Sequence, residues 1–124
     1  MRLYDQIESA ISAHGLWKGR LRAAIQSGTS DLTVMAVRAD DQCTFGKWLH
    51  KLNAEGRKSP SYSTCRELHA QFHKEAADVL ALALAGKRQE AANAIGPSSV
   101  FSKTSANLTR AMVAWAEAAK AKVG

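Results

Sequence analysis

The stretch SYSTCRELHAQFHKEAADVLALALA, residues 61–85, decides the fold class. Tyr62, Cys65, Phe72, Ala76, Val79, Leu80, Ala83 and Leu84 recur at the spacing that gathers side chains on one face of an α-helix. The spacing predicts one long helix from Ser61 to Ala85, ended by Gly86. Two polar residues fall on its apolar face. His69 lines up with Cys65, Phe72 and Ala76, and His73 follows one turn later.

Toward the N-terminus, Asn53 to Pro60 is polar, carries Gly56 and Pro60, and reads as a loop. Before it, Asp40 and Asp41 read as an N-cap pair for a helix from Gln42 to Leu52. Phe45, Trp48, Leu49 and Leu52 form its apolar side, with Cys43 in its first turn. A short apolar helix is expected over Leu32 to Val37, started by Ser30 or Asp31. The first segment shows one apolar stripe through Tyr4, Ile7, Ile11, Trp17, Leu21 and Ile25, with Gly28 as its stop. His14 fills the gap in that stripe between Ile11 and Trp17, so its side chain is expected to face the core.

Toward the C-terminus, Lys87 to Ile95 can form a further helical piece. Gly96-Pro97 interrupts it or opens the last helix, since proline is tolerated in a first turn. There Phe101, Ser105, Leu108, Met112, Trp115 and Ala119 alternate in steps of four and three, a seam suited to a bundle or a dimer. With abundant alanine, two prolines and no strand-like alternation, the chain reads as all-α.

At 124 residues the chain fits one domain, residues 1–124, with a core large enough to need no staples. No apolar run is long enough to span a bilayer and no secretory signal opens the chain, so a cytoplasmic location without membrane insertion is expected. The net charge of +6 raises the question of nucleic acid. The basic residues are scattered, however, and the tightest group, Lys18, Arg20 and Arg22, is interleaved with apolar positions. A solvated surface is the better reading, with no nucleic-acid partner. In a chain with no export signal Cys43 and Cys65 are expected to be reduced, which favours a metal-ligand or reactive-thiol role over a disulfide.

A buried imidazole requires a hydrogen bond or a metal. Singly, each inward histidine is a satisfied core residue, and a cysteine is often just a small buried hydrophobe. As a set they admit another reading. His69 and His73, at i and i+4, stack their rings on one helix face. With His14 and Cys43 they make three nitrogens and one sulfur, a complete tetrahedral set for zinc. The residues between the paired histidines are Ala70, Gln71 and Phe72, so the glutamate base of zinc proteases is missing. Four protein ligands also leave no position for a substrate water, which favours a structural or sensing site over an enzyme. Cys65, one turn before His69, competes for a ligand position or for a disulfide with Cys43. His50 is about 10 Å along its helix from Cys43 and is expected outside the site.

Three motifs, taken in order, resemble the chemoreceptor zinc-binding (CZB) family. They are His14-Gly15-Leu16-Trp17, the block from Cys43 to Leu49 reading CTFGKWL, and His69-Ala70-Gln71-Phe72-His73. The resemblance runs from about Tyr4 to Ala119. It implies a four-helix bundle with an additional short helix and zinc between the helices, held by His14, Cys43, His69 and His73. It also implies a zinc-binding regulatory domain of bacterial signalling, often dimeric, that works with chemoreceptors or diguanylate cyclases. No receptor or catalytic domain accompanies these residues, so the output is expected to pass through a partner, unless the domain stores or buffers zinc.

Cys43 is the expected switch. A thiol in a first helical turn feels the positive end of the helix dipole, and zinc deprotonates it. Oxidation to sulfenic acid would weaken its hold on the metal and release its helix. Gly46, costly inside a helix, suggests close approach of a neighbouring segment, and Trp17 and Trp48 either lid the site or simply fill the core. Two readings compete: a bundle in which zinc is only a staple, and a metalloenzyme using Glu67 or Glu75, both expected on more exposed faces.

Overall fold

The computed structural model describes residues 3–39, 43–52 and 57–123. Its regular elements are α1 (Leu3–Gly15), α2 (Trp17–Ser27), α3 (Val34–Arg38), α4 (Thr44–Lys51), α5 (Pro60–Leu84), α6 (Arg88–Ala94) and α7 (Val100–Val123). The described residues contain no strand, and the all-α bundle agrees with the periodicity.

The helix over 61–85 is the organising element. As α5 it packs on α2, α3, α4, α6 and α7, while α1 packs against α7. It opens one residue earlier than the apolar pattern indicated. Ser59 is the N-cap and Pro60 takes the first helical position, where its missing N–H costs nothing. Gly86 follows the helix with φ +77° and Gly28 follows α2 with φ +73°, left-handed conformations that favour glycine. Leu84, expected on the buried face, is exposed at this end.

The first apolar stripe is carried by two helices rather than one. The Leu16 amide bonds the Ala13 carbonyl at 3.2 Å, a tightened turn that separates α1 from α2. The stripe survives the break: Ile7, His14, Trp17, Leu21 and Ile25 are all buried. The α3 helix starts at Val34 because Thr33, rather than Ser30 or Asp31, caps it by accepting the Ala36 amide. Gly96-Pro97 lies in the turn between α6 and α7. There Ser99 Oγ accepts the Ser102 amide and donates to the Gly96 carbonyl.

The seam of α7 is consumed within the chain. Phe101, Leu108, Met112, Trp115 and Ala119 are buried and Ser105 half-buried, in a core shared with Phe72, Leu80 and Ile7. Its pattern therefore reflects intramolecular packing on α1 and α5 and does not argue for self-association. No described helix is long and apolar enough to cross a membrane.

Candidate metal centre

The start of α4 sets the chemistry of the site. The expected caps, Asp40 and Asp41, lie outside the described residues, and the helix begins at Thr44. Cys43 is the N-cap itself, with extended backbone, and its Sγ accepts the Gly46 amide at 3.3 Å. A sulfur held there faces the positive end of the helix and is oriented by an N–H donor. Gly46 is buried and supplies that donor.

Three helical segments bring the four donors together. His14 comes from the last turn of α1, Cys43 from the cap of α4, and His69 and His73 from successive turns of α5. Their donor atoms all lie within 4.8 Å of one another. Cys43 Sγ is 3.2 Å from His69 Nε2, which is 3.1 Å from His73 Nε2. A tetrahedron with zinc–nitrogen and zinc–sulfur arms has edges of about 3.3–3.6 Å, inside the range from 3.1 Å to within 4.8 Å over which the donor atoms are spread, so small adjustments of the side chains bring the set to a zinc ion.

The tautomers suit the same conclusion. His14 Nδ1 faces the Ala10 carbonyl at 3.1 Å and His73 Nδ1 faces the Val37 carbonyl at 2.9 Å. A carbonyl only accepts, so both Nδ1 atoms carry the proton and both Nε2 atoms present a lone pair. His14 Nε2 is buried and has no hydrogen-bond partner. An orphaned buried nitrogen aimed at a thiol and two imidazoles is costly in a plain core and is what a metal ligand requires. Imidazoles anchored through Nδ1 to carbonyls are the usual outer shell of a zinc site.

Burial keeps His14 and His69 neutral. His14 is 8% exposed, and His69 and His73 are 1% exposed. Desolvation is the main cause that lowers the His14 pKa to about 4 and the His69 pKa far below its ordinary value, with neighbouring imidazoles adding to both. His14 and His69 are thus ready to bind a cation without first losing a proton.

Three aromatic side chains enclose the imidazoles. Phe45 packs at 5.6 Å from His14 and 5.1 Å from His69, Phe72 at 5.3 Å from His14, and Trp17 at 5.5 Å from His73. Trp17 is buried and packs against the His73 ring, which fits both readings of it. Trp48 instead stacks on the outer side of Phe45, between it and Trp115. The pattern of residues did not single out Phe45 and Phe72 as walls, although both lie inside the ligand motifs. Nor did it reveal the Val37 carbonyl. Its availability follows from α3 being five residues long, which leaves its last carbonyls without helical partners.

The competitors separate cleanly. Cys65 is fully buried, lies outside the four-residue group and is not in a disulfide. Burial raises its pKa to about 12, so it is an inert core thiol. His50 is exposed. Glu67 is exposed, and Glu75, half-buried, accepts from Gln71 at 2.7 Å, so neither joins the cluster.

The family of zinc-binding domains found on chemoreceptors matches residues 14–80, more than half of the chain and a span holding all four donors. The chain belongs to the chemoreceptor zinc-binding domain family. The match is narrower than the span from Tyr4 to Ala119 that the motifs suggested, and ends inside α5. No curated protein and no solved structure matches the chain. As a CZB domain it is a zinc-binding module of signalling proteins, and the three-histidine, one-cysteine cluster is the chemistry that such a module needs.

Proposed function

We propose that this CZB domain holds one zinc ion through His14, Cys43, His69 and His73 and uses it to regulate a partner protein. The observation that carries the assignment is the convergence of the four donor atoms, with His14 Nε2 buried and otherwise unpartnered. Zinc bound there supplies a closed tetrahedral centre joining α1, α4 and α5. Cys43 couples that centre to helix position, because the same sulfur caps α4. When an oxidant converts Cys43 to sulfenic acid, the sulfur loses thiolate character, weakens as a ligand and accepts the Gly46 amide less strongly. α4 then loosens from the bundle, and the partner reads that change. Regulation of this kind has no catalytic step. No carboxylate stands among the four donors, which favours this reading over a metalloenzyme.

Action in the cytoplasm through a chemoreceptor or diguanylate cyclase, and formation of a homodimer, belong to the same proposal and rest on the family. Metal analysis of the purified chain and its four single alanine variants tests the ligand set. One zinc per chain in the parent and a clear loss in each variant is the expected result; full zinc in any variant removes that residue. Zinc release by mild peroxide from the parent tests the redox switch, and its failure leaves zinc as a structural staple.

A further inference from the structure

A second concavity lies between α2 and α6, with a volume of about 440 Å³ and none of the four donor residues in its wall. Lys18 and Arg22 line one side and Arg88 the other, and the exposed Ala92 and Pro97 supply an apolar wall. Its described wall contains no carboxylate, and none of the three cations is ion-paired among the described residues. The cations are spread out. Lys18 Nζ donates to Ser102 Oγ at 3.3 Å, beside the start of α2, whereas Arg88 donates to the Gln26 carbonyl at 2.9 Å, in its last turn. Eight residues separate Lys18 from Gln26, about 12 Å along the helix. Arg22 is exposed between them. A single phosphate or carboxylate cannot span such a row, but several charges along one chain can.

We propose that this cleft docks an acidic amphipathic segment of a partner protein, with its carboxylates on Lys18, Arg22 and Arg88 and its apolar side chains against Ala92 and Pro97. The exposed apolar wall favours a protein over a nucleic-acid backbone, whose phosphates would meet the cations and leave Ala92 and Pro97 bare. The wall helix is joined to the metal centre. α2 begins at Trp17, whose ring packs 5.5 Å from His73, three residues after His14. A partner in the cleft therefore touches a helix that packs directly against the centre; this link alone rests on the proposed zinc function.

The test titrates the zinc-loaded full chain, followed by NMR chemical shifts, with a synthetic amphipathic helix of leucine and glutamate and separately with duplex DNA. Zinc content is measured on the same samples. Shifts confined to α2 and α6, about tenfold weaker binding to Arg22→Glu, retained binding to Arg22→Lys and weakening by salt support the proposal. Absence of shifts, shifts elsewhere, equal binding to Arg22→Glu, or binding of DNA alone overturns it. Peptide binding to a chain that holds no zinc removes the zinc reading and leaves the docking site standing.

Discussion

His73 donates from Nδ1 to the carbonyl of Val37, 2.9 Å away on α3, and so turns its Nε2 toward His69. A ring in the longest helix is thereby oriented by a backbone group 36 residues earlier. Helix α3 owes its start to the Thr33 cap. Thr33→Ala should therefore weaken zinc binding by up to about tenfold, and Thr33→Ser should not, since loss of a cap costs about 1 kcal/mol and disturbed outer shells cost about 10–100-fold in affinity. Competition titration with a chelating dye measures the difference.

His14 should have opposite effects on stability with and without metal. Its Nε2 is buried and unpartnered, a burden of about 1–3 kcal/mol in the metal-free fold. His14→Leu should leave the melting temperature in chelator unchanged or higher, and abolish most of the rise that zinc produces in the parent. A large loss of stability in chelator would mean that the imidazole is an ordinary core residue.

Cys43 has two separable duties. In Cys43→Ser the hydroxyl can still accept the Gly46 amide, so α4 is kept while the thiolate is lost. Cys43→Ala loses both, at an added cost of about 0.5–2 kcal/mol. Equal zinc loss in the two variants, with lower stability only for alanine, is expected from metal analysis combined with urea unfolding.

Acid should destabilise the chelator-treated chain in a defined window. Burial lowers the His14 pKa to about 4, and lowers that of His69 further, from the ordinary 6.5. Above pH 6.5 both the folded and the unfolded chain keep these rings neutral, so they add no pH dependence. Below it the unfolded chain takes up protons that the folded chain refuses, so stability is lost as pH falls through about 6.5 toward 4. Urea midpoints at pH 7.5, 6, 5 and 4 should be flat at the upper end and then decline; a decline beginning only below pH 4 contradicts it.

The two thiols should react at different times. Cys65 is fully buried with its pKa raised to about 12, whereas Cys43 is half-buried. Alkylation followed by mass spectrometry should label neither rapidly in the zinc-loaded chain, Cys43 alone after chelation, and Cys65 only on unfolding. Early labelling of Cys65 would show that its segment of α5 opens.

The sequence by itself determined the helices, their stops at Gly28 and Gly86, and the inward histidines. These are consequences of a 3.6-residue repeat and of glycine's access to positive φ, which are local properties. It also placed His69 and His73 on one face, because i and i+4 are neighbours in any helix. Only the tertiary structure decided that the Val37 carbonyl anchors His73 and that the seam of α7 is spent on α1 and α5. Each of these depends on which segment arrives beside which, and periodicity along one helix carries no information about that. The convergence of the donors belongs to the same class: three imidazoles from two helices and a thiol from a cap meet where Phe45, Phe72 and Trp17 pack around them.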